Sequence, residues 1–353
     1  MNLDDAAALK AADPGGMLDA IAALPRDCRA AYDAARARTD LPPAGGVTSV
    51  VFCGMGGSAV AGDLLRAVYR DRLTVPVEVN RSPQLPAHAG ATTLVAVCTY
   101  SGNTAETLAS FAQARARGCR VVVVTSGGRA KELAEAGGIP VVIVPGGAQP
   151  RAALGHLGSA WLGALEAMGL LPGLGGDVDE AVAELTDLVA ELGPEVPAAE
   201  NAAKRLAGAI GDRSPVVWGA EGIAAVAAMR WKTQMNENGK IPAFSAAMSE
   251  LDHNEVVGWT RPFGERFAVI ALRHDGEDPS ISPRFPLSAD IARSAGAIVE
   301  EVHASGRSSL ARLLSLIIVG DFASVYVALR RGVDPTPVTV IEHLKAALAG
   351  EAG

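Results

Sequence analysis

The sequence predicts an α/β protein of two similar halves, each an open parallel sheet flanked by helices on both faces. Three observations carry this. Short apolar, β-branched runs alternate with stretches of good helix formers, the pattern of parallel strands joined by crossover helices. At 353 residues, 49% of them hydrophobic, the chain has the length and apolar mass for two cores. A strand–glycine turn–helix unit also occurs twice. Cys53-Gly-Met-Gly-Gly-Ser58 aligns with Trp218-Gly-Ala-Glu-Gly-Ile223, so that Gly54 and Gly57 match Gly219 and Gly222.

Residues 1–40 hold alanine-rich amphipathic pieces and predict an N-terminal helical segment, broken by Leu41-Pro-Pro-Ala-Gly-Gly46. A first domain is expected over 41–175. Its strands fall at 47–53, 75–79, 93–98, 121–125 and 141–144, with helices between them and a closing helix over 151–168. Leu171-Pro-Gly-Leu-Gly-Gly176 ends it. After a helical stretch the alternation resumes in a second domain, 195–353. Strands are expected there at 215–218, 267–272 and 297–302, a helix over 223–238, and closing helices at 308–331 and 337–348.

A net charge of −8 argues against a nucleic-acid surface, so any anion must be held locally. No run of eighteen apolar residues is free of charge or glycine, and no membrane span is expected. The start is acidic and alanine-rich rather than basic then apolar, so a secretory signal is not expected and a cytoplasmic location is. Cys28, Cys53, Cys98 and Cys119 are scattered. Cys53 and Cys98 both close expected strands, so a bridge between them is conceivable; small buried thiols in a reducing compartment is the favoured reading.

The chemistry concentrates where the third strand meets its helix. Thr99-Tyr-Ser-Gly-Asn-Thr104 packs hydroxyls, an amide and a glycine into one turn. A helix start offers free N–H groups and partial positive charge, and hydroxyls at Thr99, Ser101 and Thr104 could donate to phosphate oxygens while Gly102 lets the backbone approach. The plain alternative is a capped turn with Thr104 as N-cap. The corresponding turn of the second half, Arg273-His-Asp-Gly-Glu-Asp278, has no hydroxyl and three carboxylates, so phosphate chemistry is expected in one half only. Gly54-x-Gly56-x-x-Ala59 also fits the dinucleotide fingerprint, with Glu78 at the expected distance. That rival leaves the Thr99–Thr104 turn unexplained.

Both hydroxyl-bearing turns follow strands of one parallel sheet and so lie at its carboxyl edge, where such sheets bind ligands. Gly54-Met-Gly-Gly-Ser58 with Tyr100-Ser-Gly-Asn-Thr104 resembles the sugar isomerase (SIS) fold. The resemblance implies two SIS-type domains, five-stranded parallel sheets, and a phosphate held by Gly57, Ser58, Thr99, Ser101 and Thr104. Serine is more usual at Thr99, and threonine keeps the donor. In the second half, Trp231-Lys-Thr-Gln-Met-Asn-Glu237-Asn-Gly-Lys-Ile-Pro-Ala-Phe244 and Ser249-Glu-Leu-Asp-His253-Asn-Glu-Val-Val-Gly-Trp259 resemble the bifunctional phosphoglucose/phosphomannose isomerase family. That likeness runs from about residue 45 to 346. It implies Glu237 as the base, His253 in ring opening, and Arg151 and Lys345 lining the site. Asparagine is frequent in the family where Asp252 stands; a carboxylate beside His253 could raise its proton affinity.

The chemistry asks for the same residue types. Moving a carbonyl between C1 and C2 needs one base that takes a proton from one carbon and returns it to the other. The enediolate between them carries negative charge that a fixed guanidinium can stabilise. Ring opening needs a donor that titrates near neutrality, as histidine does. No metal or cofactor is demanded, and no second histidine lies at ligand spacing from His253. Each residue also has a bland reading: Glu237 and Lys345 as solvated helix residues, Arg151 as an ordinary ion-pair partner.

The expected function is an aldose–ketose isomerase acting on glucose 6-phosphate, mannose 6-phosphate or both, with fructose 6-phosphate as product. The alternative is a non-catalytic SIS module that senses a phosphosugar. An amidotransferase-type synthase would need a glutaminase domain for which the chain has no room. The resemblance further implies a homodimer in which His253 reaches the neighbouring subunit's site. Preference between the C2 epimers depends on pocket width, and Thr336 and Thr339 are candidates to set it.

Overall fold

The computed structural model describes residues 1–351 and contains two all-parallel sheets. The first holds β1 (Ser49–Cys53), β2 (Val77–Asn80), β3 (Thr93–Thr99), β4 (Arg120–Thr125) and β5 (Val141–Ile143), in the order β2-β1-β3-β4-β5. The second holds β6 (Ser214–Gly219), β7 (Phe244–Ala247), β8 (Phe267–Arg273) and β9 (Ile298–His303), in the order β7-β6-β8-β9. The halves thus share a strand order, with Val51 of β1 between Glu78 and Val95 as Trp218 of β6 is between Ala246 and Ala271. β1, β3 and β4 are almost wholly buried because helices cover both faces, which is why they read as continuous apolar runs.

Two features depart from the sequence expectation. β7 was not foreseen: Phe-Ser-Ala-Ala has little β-branched character, and it forms a half-exposed edge strand. The second sheet has four strands rather than five among the described residues. Where a fifth would follow β9, the chain passes through Ala304–Ser308 into a 22-residue helix.

The helices that matter below are α1 (Leu24–Arg36), α2 (Gly56–Val68), α3 (Ala105–Ala116), α4 (Leu154–Ala167), α5 (Gly175–Leu192), α6 (Ile223–Glu237), α7 (Ser309–Arg330) and α8 (Thr339–Glu351). One continuous apolar cluster takes in a face of each sheet, with Tyr32 of α1, Trp161 of α4, Leu185 of α5, Trp231 of α6 and Phe322 of α7. The N-terminal helices join it through Leu9, Met17 and Ile21. Each sheet's other face has its own smaller cluster, around Phe111 in the first half and Trp218, Trp259 and Phe285 in the second. The halves therefore do not bury their apolar surface separately. α7 is long and apolar enough to cross a bilayer, yet it is buried inside the protein as a core helix. All four cysteines are free, and burial pushes the Cys98 thiol up to about 12 and Cys28 and Cys53 to about 11, which keeps them protonated.

Candidate active site

Two helix starts meet at the carboxyl edge of the first sheet. α2 begins after Met55 and α3 after Thr104, and neither start carries a side-chain cap. Thr104 stands in the N-cap position, but its hydroxyl lies 3.1 Å from the Thr99 hydroxyl instead of on a helix amide. The capped-turn reading therefore does not describe this turn. Ser58 is buried, and its Oγ accepts the Tyr100 amide at 3.2 Å, joining one turn to the other. Ser101 is exposed, with Oγ accepting only a 3.3 Å bond from the Asn103 amide. Gly102 is in the left-handed region (φ 72°), and a Cβ there would collide with the Gly127 carbonyl oxygen; no other residue fits.

The dinucleotide alternative finds no support in the same edge. Glu78 is exposed in the middle of β2, 3.8 Å from His88, and the strand ends on Asn80, which is buried and bonded to Ser82, Gln84 and Ser110.

A second constellation abuts the first. A Cβ on Gly57 would stand 2.9 Å from the Pro150 carbonyl oxygen and 3.5 Å from the Arg151 Cα, so the first turn lies directly against the Arg151 backbone. The Ala148 amide donates to the Tyr100 hydroxyl at 3.0 Å, tying the same segment to the second turn. Arg151 is 4% exposed, and a guanidinium so buried must have acceptors or destabilise the fold. Nε donates to Asn238 Oδ1 at 2.5 Å, and Nη2 donates to the carbonyls of Pro335 (2.9 Å) and Thr336 (2.7 Å). Nη1 stands 3.5 Å from Glu237 Oε2. Burial pushes the guanidinium below its usual proton affinity, and the charges of Glu237 and Asp334 oppose that shift. Beneath it, Arg230 clasps Asp321 with bonds of 3.0 and 2.6 Å and donates to the Arg151 carbonyl at 2.9 Å.

Glu237 ends α6, its carboxylate about one-third exposed: mostly out of water, yet reachable. It borders an open cleft of about 470 Å³ lined also by Lys240, Ile241, Pro242, Pro337 and Thr339. Thr336 does not face this cleft; its hydroxyl presses on Gly15 of the N-terminal segment and has no hydrogen-bond partner among the described residues.

The sequence-predicted residues thus fall into two groups. Gly57, Ser58, Thr99, Ser101, Thr104, Arg151 and Glu237 are built into one region of the first sheet edge and the end of α6. His253 and Lys345 are exposed, the first in a turn after Met248–Leu251 and the second on α8, and neither hydrogen-bonds to that region. Asp252 is engaged elsewhere, by the Ser288 hydroxyl at 2.8 Å and Arg284 at 3.5 Å. Sequence reasoning assigned no role to Asn238, Lys240 or the Asp334–Pro337 linker. Asn238 and Lys240 stood in the same motif as Glu237, which was the available signal.

The paired parallel sheets and the turns at their edge define a SIS-type α/β protein. Residues 199–348 match the family model for the bacterial phospho-glucose isomerase C-terminal SIS domain. The chain is 39% identical over 336 residues to a bifunctional phosphoglucose/phosphomannose isomerase of Caldicellulosiruptor bescii, covering 94% of this chain and 99% of that one. It is 34% identical over 311 residues to its namesake from Aquifex aeolicus, covering 88% and 92%. A glucose-6-phosphate isomerase like protein from Thermus thermophilus shares the fold, with a TM-score of 0.65 at 20% identity over 98% of each chain. The chain belongs to the bifunctional phosphoglucose/phosphomannose isomerase family. It is an isomerase, which sets aside the reading as a non-catalytic sensor.

Proposed function

We propose that the protein interconverts glucose 6-phosphate and mannose 6-phosphate with fructose 6-phosphate. The observation that carries this reading is the Glu237 carboxylate 3.5 Å from the buried Arg151 guanidinium, whose own backbone lies against the Gly57 turn. Phosphate oxygens take the free N–H groups and hydroxyls of Ser58, Thr99, Ser101 and Thr104. Glu237 removes the proton from C2 of the open-chain aldose and returns it to C1 while the O2 hydroxyl proton passes to O1, so the C2 carbonyl forms as the C1 carbonyl becomes a hydroxyl; the reverse reaction runs the same path backwards. The enediolate charge falls to Arg151, whose acceptors keep it fixed in place, so little reorganisation accompanies the charge. The reaction as proposed uses no metal or cofactor.

His253 supplies the ring-opening proton and Lys345 lines the site, both in a homodimer where His253 enters from the neighbouring subunit. Support comes from their exposure in the single chain and from apolar side chains left in water near each. Val257 is 66% exposed beside His253, and Val340 and Leu344 are 80% and 60% exposed on α8.

The test is a coupled assay with each phosphosugar, run beside tritium release from C2-labelled substrate into water. Turnover of both epimers with release is the expected result. Turnover without proton exchange at C2 would replace the enediolate by a hydride shift.

A further inference from the structure

Lys240 has the one left-handed backbone outside glycine among the described residues, with φ of 53°. It follows the end of α6, where Gln234 O accepts the Asn238 amide at 2.7 Å and Met235 O accepts the Ile241 amide at 3.3 Å. The second bond closes a loop one residue wider than the usual helix-ending motif, in which glycine takes the left-handed position. Here the glycine stands one residue earlier. At Gly239 a Cβ would come within 2.7 Å of the Met235 carbonyl oxygen, and the strained position is left to lysine. A strained non-glycine residue at a helix end beside a reactive group points to a role for its side chain.

That side chain has a definite task in the fold. Its ammonium donates to the Glu237 carbonyl, to the Pro335 carbonyl at 3.0 Å and to the Pro337 carbonyl at 2.5 Å. Arg151 donates to the Pro335 and Thr336 carbonyls. Three consecutive carbonyls of the linker are thus held by two cations, and α8, which carries Lys345, starts two residues on. We propose that Lys240 is a positioning residue that ties the end of α6 to the Pro335–Pro337 linker and so fixes α8 over the Glu237 carboxylate. The proposal rests on Glu237 being the base. Burial and the neighbouring charge of Arg151 both lower the ammonium's proton affinity, so this placement is held against a cost, which an ordinary helix cap would not require.

The experiment compares Lys240→Gly, Lys240→Met and Lys240→Cys with Glu237→Gln. Glycine relieves the left-handed backbone, which offsets part of the stability lost with the ammonium's three hydrogen bonds, so Lys240→Gly is expected to stay folded at 25 °C. Its kcat is expected to fall at least tenfold with KM within about threefold, because the phosphate turns are untouched. Amide hydrogen exchange over 339–347 should rise in Lys240→Gly and Lys240→Met. Aminoethylation of the Lys240→Cys thiol, with wild type treated alongside, rebuilds the ammonium and should restore most of kcat. A Lys240→Gly enzyme with wild-type kcat would overturn the proposal, as would a kcat loss that aminoethylation leaves unrepaired. If Glu237→Gln is inactive while Lys240→Gly is fully active, only the positioning role fails. An active Glu237→Gln enzyme removes the base, and the reason for fixing it.

Discussion

The two halves share a strand order and differ in what they leave open at the carboxyl edge. In the first, α2 and α3 start without side-chain caps, and the Ser58, Thr99, Ser101 and Thr104 hydroxyls gather beside them with few partners of their own. In the second, the equivalent turn closes on itself. The Arg273 guanidinium holds Glu277 through bonds of 2.9 and 2.8 Å, reaches Glu301 at 3.7 Å, and lies 4.1 Å over the Phe285 ring. The His274 amide donates to Glu277 at 3.0 Å as well. An edge whose polar groups satisfy one another has nothing to offer an anion. An edge with donors to spare does. The second half instead supplies the end of α6, with Glu237 against Arg151 of the first, so the proposed site needs both halves though only one keeps the phosphate turns.

That division of labour predicts its largest effect at Glu237. Glu237→Gln should lower kcat by about 10²–10⁴-fold or more while substrate still binds, since a positioned base typically contributes that much. Binding measured by calorimetry separates this from misfolding; loss of binding together with turnover would count against a division between the halves. A related test asks whether His253 crosses subunits. With Glu237→Ala and His253→Ala chains co-expressed and assorting freely, about half the dimers are mixed, each with one native and one doubly altered site. Roughly a quarter of wild-type activity should return. Activity at background, with mixed dimers present, would put both residues in one chain.

The phosphate turns come next. Ser101→Ala and Thr104→Ala should each raise KM about tenfold to a hundredfold, because a hydrogen bond to a charged group contributes roughly 1.5–3 kcal/mol. The fold should be spared, since Ser101 is exposed and the Thr104 hydroxyl, among the described residues, bonds only to the Thr99 hydroxyl. Unchanged KM in both variants would remove the first half's claim to the phosphate.

Much of this was legible in the sequence, for physical reasons. The buried strands announced themselves because a sheet covered on both faces demands continuous apolar runs, and the two glycine turns did so because few residues fit them. β7 was not legible: an edge strand of Phe-Ser-Ala-Ala gains its place from pairing with β6 rather than from its own propensity. The spacing of Glu237 and Arg151 could not be read either, since 86 residues separate them and only the fold brings them together. The same holds for Lys240 and the Pro335–Pro337 carbonyls. Sequence motifs name side chains, but a backbone acceptor carries no signature. His253 and Lys345 were named from the resemblance, and a single chain leaves both in solvent.

The smallest effect is expected at the closed turn, and it is one of stability. Burial pushes the Glu277 carboxyl up, but hydrogen bonds from Arg273 and the His274 amide outweigh it and hold it below the usual carboxylate range. A group whose folded pKa is depressed stabilises the fold above its unfolded pKa, near 4.3, and loses that contribution as pH falls through the folded value. Glu277→Gln should therefore cost about 1.5–3 kcal/mol at pH 7, the scale of hydrogen bonds to a charged group. That corresponds to a fall of a few degrees in melting temperature. The gap between variant and wild type should stay constant from pH 8 to about 5 and close below about 4. Arg273 keeps Glu301 and the Phe285 ring, which limits the damage. At 25 °C the folded variant should turn over substrate with unchanged kcat and KM. A KM increase like that of Ser101→Ala would mean that the second turn also touches the phosphate, and the contrast between the two edges would be lost.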